Sequence, residues 1–130
     1  MDDDSLRQFV SQRGADRCEY CKIHRDHDPF YQFHVEHIQA RQHGGPTVAS
    51  NLALACQHCN LHKGPNLSGI DPATDAVVQL FNPRQQTWSE HFTIRAGVVI
   101  GLTATGRATA RLLAMNVRAR VRIRAGSMPM

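Results

Sequence analysis

Residues 56–64 read CQHCNLHKG and residues 18–21 read CEYC, so the chain contains two Cys-x-x-Cys pairs. These pairs hold all four cysteines of the 130 residues. A Cys-x-x-Cys turn can direct both sulfurs at one point about 2.3 Å away, which is the Zn–S distance of structural zinc sites. The four predicted ligands of one structural zinc ion are Cys18, Cys21, Cys56 and Cys59.

The start of the chain favours thiols over disulfides. It reads MDDDSLRQF and is acidic, whereas a secretory signal peptide is first basic and then apolar. We therefore expect a cytoplasmic protein, in which paired cysteines bind metal more often than they form disulfides. Two redox-active pairs or buried free thiols are the alternative, but the sequence lacks the thioredoxin-like βαβ pattern. It also lacks a run of about 18 apolar residues, so no membrane span is expected.

Charge is distributed unevenly along the chain. Residues 1–64 contain seven Lys and Arg against eight Asp and Glu, a net charge of −1. Residues 65–130 contain eight Arg against three acids, a net charge of +5. Six arginines and no acid lie within residues 107–124. Such a segment favours a polyanionic partner, because bound phosphates release their counterions. A solvated surface is the alternative.

The apolar pattern predicts an α+β fold. Helices are expected at 5–15, 60–64 and 103–116, the last with Thr105 as its N-cap. Strands are expected at 31–38, 76–82, 91–95 and 97–102. Arginines alternate along 117–125, which fits a strand, but the same arginines also pair at i, i+4 on a helix. We predict a core at 1–69, and a β-meander with a C-terminal helix and an Arg-rich tail at 70–130, packed together as one domain.

The 34 residues between the two cysteine pairs are more than a zinc finger or a simple zinc ribbon needs, and they contain FHVEHI at 33–38. Glu36 and His37 are neighbours on a predicted strand, so their side chains point to opposite sides. Histidine is a natural general base near neutral pH, and a carboxylate is a suitable ligand for Mg²⁺. Asn60 can add a neutral oxygen ligand. Hydrolysis of a phosphodiester needs such a base and such a cation.

Taken in chain order, these elements resemble the HNH endonucleases. The matching residues are Cys18-x-x-Cys21, Glu36-His37-Ile38, Gly44-Gly45, Asn51-Leu52 and Cys56-x-x-Cys59-Asn60-x-x-Lys63-Gly64. The resemblance covers residues 17–65. It implies a ββα-metal core, stapled here by the four cysteines, and metal-dependent endonuclease activity on DNA.

The resemblance assigns roles by position. His37 aligns with the general base and Glu36 with the acidic ligand of the catalytic metal. Asn51 matches the asparagine that braces the loop holding the base. Asn60 lies at the third signature position, where many members have histidine. Asparagine there favours an oxygen-ligated Mg²⁺ or Mn²⁺ over a histidine-rich zinc or nickel centre.

Other residues are candidates for metal or phosphate contacts. His34 shares the strand face of Glu36, so it either reaches the metal or is an exposed strand histidine. The expected nucleic-acid contacts are His62, Lys63, Arg41, Arg118, Arg120, Arg122 and Arg124. The arginines are expected to hold the phosphate backbone and not to read bases. A solvated surface is the alternative for each of these residues.

Two other functions compete with a DNA endonuclease. A non-catalytic zinc module would bind nucleic acid or a protein without cleavage. An RNA-directed nuclease would use the same residues on another substrate. The sequence predicts neither sequence specificity nor oligomeric state, and it leaves open a protein partner for targeting.

Overall fold

The chain forms two compact units, Met1–Pro65 and Asn66–Met130. The structure, a computed structural model, describes residues 3–128, so positions 1, 2, 129 and 130 of the two predicted domains lie outside the described residues. Helices and small antiparallel sheets occur in both units, which confirms the predicted α+β class. The packing of the units as one domain stays a prediction. None of the helices in residues 3–128 has the length and apolar character of a membrane span.

The first unit is built on one antiparallel hairpin. Helix α1 (Asp3–Arg13) precedes strand β1 (His34–His37), which pairs with β2 (Leu52–Ala55), and helix α2 (Gln57–Lys63) follows. Short 3₁₀ turns lie at Arg25–His27, Arg41–His43 and Ala49–Asn51. The order β1–β2–α2 is the ββα arrangement that the sequence resemblance implies.

Strand β2 is buried along its whole length. Its sequence LALA has no polar residue, as expected for a strand covered on both faces. Helix α1 packs against β2, and α2 packs against β1. The N–H of Gly64 donates to the carbonyl of Asn60 and ends α2, as the sequence predicts. The hairpin is thus held between two helices.

Residues 66–128 of the second unit form two hairpins and three helices. Its strands are β3 (Ser68–Ile70), β4 (Val77–Gln79), β5 (Phe92–Arg95) and β6 (Val98–Gly101). Its helices are α3 (Trp88–His91), α4 (Ala104–Leu112) and α5 (Arg118–Ser127). β3 pairs with β4 and β5 with β6, so the strands form two separate sheets and not the predicted meander. The segment between β4 and β5 contains a turn and α3, which separate the two hairpins.

Helix α4 begins after Thr103, whose hydroxyl accepts from the Gly106 N–H at 3.0 Å. The prediction that Thr105 is the N-cap is therefore wrong. Thr105 lies inside the helix, and its hydroxyl donates to the carbonyl of Gln79. Thr103 has the extended backbone that an N-cap requires, which only the structure reveals.

The Arg-rich segment forms helix α5, so of the two structures that its sequence allows, a strand or a helix, the helix is the one observed. The side chains of Arg120 and Arg124 are buried, whereas Arg118 and Arg122 are exposed. The Arg124 guanidinium donates to the carbonyl of Gly97 at 2.7 Å. The predicted contacts of Arg120 and Arg124 with nucleic acid are therefore wrong, because both side chains are buried and the Arg124 guanidinium holds α5 to the turn between β5 and β6.

Gly97 allows this close approach of α5 to the β5–β6 turn. Its φ is +82°, and a Cβ atom there would lie 2.3 Å from the carbonyl oxygen of Val121. Any other residue would be strained and would push the helix away. Ala96 and Gly97, both with positive φ, form the turn between the strands predicted at 91–95 and 97–102.

Asp71 and Arg107 form a two-point ion pair inside the second unit. Arg107 donates from Nε and Nη2 to the two carboxylate oxygens, both at 2.9 Å. The Asp71 side chain is fully buried and also accepts from the Ala73 N–H and the Thr74 hydroxyl. Arg107, followed by these other donors, holds the pKa of Asp71 well below its usual range.

The second unit is expected to lose stability as the pH falls below about 4. Aspartate in an unfolded chain titrates near 3.9, so Asp71 stabilises the folded unit above that pH, and this contribution is lost as the pH falls toward the lower folded-state pKa. Trp88 is the only tryptophan of the chain and stacks on Phe92, so its fluorescence can follow urea unfolding of this unit.

Asp71→Asn should be less stable than the wild type at pH 7 and should show a weaker acid dependence. Asp75→Asn, at an exposed position in the same turn, is the matched control and should keep the wild-type profile. Identical pH profiles for the two variants would contradict this role of Asp71.

Candidate active site

The sulfur atoms of the four cysteines form one buried cluster, at the metal site that the sequence predicts. Their sulfurs all lie within 4.8 Å of one another, and none is in a disulfide. The sulfurs of Cys21 and Cys56 are 3.7 Å apart. Two ligands of a tetrahedral site with 2.3 Å Zn–S bonds are about 3.8 Å apart. Within residues 3–128 this is the one group of three or more His, Cys, Asp or Glu side chains that could hold a metal ion.

The chemistry of these sulfurs also fits a metal ion. The backbone N–H groups of Cys21 and Cys59 donate to the sulfurs of Cys18 and Cys56, at 3.5 and 3.3 Å. Burial raises the pKa of the Cys18 thiol, while hydrogen bonds with the neighbouring cysteines lower the pKa of Cys21. Four buried thiolates repel one another unless a cation neutralises them. The cluster could therefore bind a thiophilic ion such as zinc.

Two residues inside the first Cys-x-x-Cys turn attach it to the hairpin. The Glu19 N–H donates to the Leu54 carbonyl at 2.8 Å, and the Glu19 carboxylate accepts from the Leu54 N–H at 2.7 Å. The Tyr20 hydroxyl donates to Glu36 Oε2 at 2.6 Å. The second turn continues into α2, because Cys56 is the N-cap of that helix. The cysteine cluster thus fixes β2 and α2 together.

Glu36 points into the unit. Its side chain is 5% exposed, and Lys63 Nζ lies 2.5 Å from its Oε1. Burial raises the pKa of Glu36, and the ammonium of Lys63 and the hydroxyl of Tyr20 oppose that rise. The adjacent His37 is only partly buried, so the two neighbours differ in environment as their strand geometry predicts.

Two predicted roles do not fit this geometry. The two oxygens of Glu36 face Tyr20 and Lys63, so the buried carboxylate does not fit a ligand of a catalytic metal that must also meet a substrate. Lys63 is 2% exposed and donates to the Ile38 carbonyl at 2.9 Å. It therefore cannot contact nucleic acid as predicted. The two predictions fail for one reason, since each residue is the buried partner of the other.

His37 has a hydrogen-bond partner that the sequence analysis missed. Its Nε2 lies 2.8 Å from the hydroxyl oxygen of Thr47. Burial and then the nearby Arg41 guanidinium lower the pKa of His37, which favours the neutral imidazole at pH 7. If Nε2 carries the proton and donates to Thr47, then Nδ1 is the acceptor. In that tautomer the ring can take a proton from water.

Asn51 braces the loop that carries Thr47. Its Oδ1 accepts from the Gln39 N–H at 2.9 Å, and its Nδ2 donates to the carbonyls of Gln39 and Pro46, at 3.0 and 2.9 Å. Both ends of the loop after β1 are thereby tied together. These are contacts of the kind that the resemblance implies for Asn51, while its effect on a reaction stays a prediction.

The other candidate residues differ in exposure. His34 and Asn60 are partly exposed, and Arg41 is exposed. His62 is also exposed, and its Nδ1 lies 2.8 Å from the carbonyl oxygen of His58. Because these four side chains are at least partly exposed, they can contact a polyanion or a cation.

Residues 18–66 match the protein-family model described as HNH endonuclease. The match begins at the first cysteine of the cluster and contains the hairpin and α2. The match covers 49 of the 130 residues, so the likeness to HNH endonucleases concerns this segment and not the whole chain. Neither the curated proteins nor the solved structures include a match to the chain.

Proposed function

We propose that the protein is an HNH endonuclease that hydrolyses phosphodiester bonds in DNA, with His37 as the general base. The environment of His37 is the observation that carries the proposal. The imidazole is partly exposed, burial and then Arg41 lower its pKa, and its Nε2 lies 2.8 Å from the Thr47 hydroxyl oxygen. It also lies within the segment that matches the nuclease family.

In the proposed reaction Nδ1 of His37 accepts a proton from water while Nε2–H donates to Thr47. The water oxygen forms a bond to phosphorus, and the bond from phosphorus to the leaving oxygen breaks. A positioned general base contributes about 10²–10⁴-fold to the rate of such a step. Asn51 supports the reaction by holding the loop that presents Thr47.

We also propose two kinds of metal ion. The four buried thiols favour zinc, because thiolate ligands select it over Mg²⁺. Mg²⁺ or Mn²⁺ is the proposed catalytic ion, and when bound it would neutralise charge on the phosphate and the leaving oxygen. Because the carboxylate of Glu36 is engaged by Tyr20 and Lys63, we propose Asn60 and His34 as the residues that face this ion.

Exposed cationic side chains are the proposed contacts with the DNA backbone. They are Arg41 and His62 in the first unit and Arg118 and Arg122 in the second. Their charge favours phosphates without selecting a base. A cytoplasmic location is part of the proposal, because the four cysteines are thiols.

One assay tests the activity, the substrate and the metal together. Zinc-loaded protein is incubated with supercoiled plasmid, linear duplex DNA, single-stranded DNA and RNA, each with Mg²⁺, with Mn²⁺ and with EDTA. We expect nicked or linear plasmid with Mg²⁺ or Mn²⁺ and no cleavage with EDTA, while zinc content measured in parallel stays constant. Cleavage of RNA but not of DNA would show that RNA is the substrate. Binding without cleavage of any substrate would favour the non-catalytic zinc module.

A further inference from the structure

Lys63 is a buried cation at the end of α2 that contacts the strand carrying His37 and the residue directly after that strand. Its Nζ donates to the Ile38 carbonyl at 2.9 Å and lies 2.5 Å from Glu36 Oε1. Glu36 and Ile38 are the residues immediately before and after His37. One ammonium group therefore holds the backbone and a side chain on both sides of the proposed base.

The network around Lys63 continues to the cysteine cluster. Glu36 Oε2 accepts from the hydroxyl of Tyr20, which lies between Cys18 and Cys21. Lys63 itself ends the helix that Cys56 begins. The buried pair is thus connected to both Cys-x-x-Cys turns, one through Tyr20 and the other through α2.

A buried ion pair is a costly way to gain stability alone. Removing two charges from water is unfavourable for each ion, and well-packed apolar residues at such a site are often as stable or more stable. A buried pair can instead fix one arrangement of the groups that it connects. The groups connected here are the two neighbours of a histidine whose ring must be placed accurately.

We propose that Lys63 is a positioning residue that sets the orientation of His37 through Glu36 and Ile38. The proposal rests on the proposed function, because it concerns the base of that reaction. Lys63 does not touch the substrate, so its effect is on the rate of the chemical step and not on binding. A misplacement of about 1 Å can cost about 10²-fold in rate.

The test uses two variants and a charge control. Lys63→Met keeps an unbranched side chain of similar length but removes the ammonium. It leaves Glu36 as a buried, unpaired carboxylate, which can destabilise the unit. Lys63→Met/Glu36→Gln removes that charge as well, so a folded protein without the bridge can be studied. Arg7→Met removes one positive charge from an exposed position on α1 and should behave as the wild type.

We expect kcat for plasmid cleavage to fall about 10²-fold in the double variant, with KM within about twofold of the wild type and full zinc content. The ¹⁵N chemical shifts of the His37 ring should also change, because the Nε2 hydrogen bond to Thr47 depends on the ring position. A folded, zinc-loaded double variant with wild-type kcat and wild-type ring shifts would overturn the proposal.

The ring shifts need no substrate, so they separate the two proposals. If the wild type cleaves no nucleic acid, the proposed function is wrong, and changed His37 shifts in the double variant still support the positioning role. If the wild type cleaves and both variants cleave equally well, the function stands and the positioning role is overturned.

Discussion

Replacing His37 by alanine is expected to reduce plasmid cleavage by about 10²–10⁴-fold, because no other group at this position can take the proton from water. The loss should appear in kcat, with little change in KM, since the base acts in the transition state. Folding should persist, because His37 is partly exposed and its side-chain hydrogen bond within residues 3–128 is the one to Thr47.

His43→Ala is the matched control for this experiment. His43 is an exposed histidine on the same loop, and its backbone carbonyl, not its ring, accepts from the Gln39 side chain. The control should therefore keep wild-type activity. Thermal unfolding and zinc content should be equal in both variants. Full activity in a folded His37→Ala protein would remove the general base from the proposed mechanism.

Replacing Cys56 by serine is expected to unfold the first unit. Structural zinc contributes about 10–16 kcal/mol of binding free energy to small metal-dependent domains, which is comparable with or larger than the about 5–15 kcal/mol that stabilises a typical domain. The four cysteines are themselves part of the small buried core of this unit. Loss of one ligand should therefore remove both the zinc and the folded hairpin.

Zinc content and the circular dichroism spectrum measure this effect directly, and Trp88 fluorescence follows the second unit separately. His58→Ala is the control, because His58 lies between the two cysteines of the same turn. It should keep the full zinc content if the ligands are four thiolates. A Cys56→Ser protein that stays folded without zinc would contradict the structural role of the metal.

Several local features of both units follow from sequence signals. The spacing of the cysteines predicts their cluster, and Gly64 predicts the end of α2. The Ala96-Gly97 step predicts a hairpin turn, because glycine accepts the positive φ that the turn requires. In each case a few neighbouring residues determine the geometry, so an isolated sequence contains the necessary information.

The partners of Glu36 could not be predicted in the same way. Strand alternation separates Glu36 from His37, but it does not tell which of the two faces the interior. That choice depends on Tyr20 and Lys63, which are 16 and 27 positions away in the chain. A glutamate beside a histidine suggests a metal ligand, whereas the folded chain brings a lysine to the carboxylate.

The second unit shows a related limit for arginine. A regular alternation of arginines is compatible with a strand and with a helix, and charged residues are normally expected at the surface. Arg124 is buried because the carbonyl of Gly97 is placed to accept from its guanidinium. The distant turn that provides this acceptor is recognisable only in the folded structure.

The positions of the two Cys-x-x-Cys turns along the chain have a further consequence. The 34 residues between Cys21 and Cys56 contain the whole of β1 and β2, and an ion bound by both cysteine pairs would close them into a loop. Closing a loop of this size lowers the conformational entropy of the unfolded chain, which stabilises the folded state by about 4 kcal/mol. Each doubling of the loop length changes this entropic free energy by only about 0.6 kcal/mol. The exposed segment around Phe30 can therefore become longer during evolution at only a small additional entropic cost.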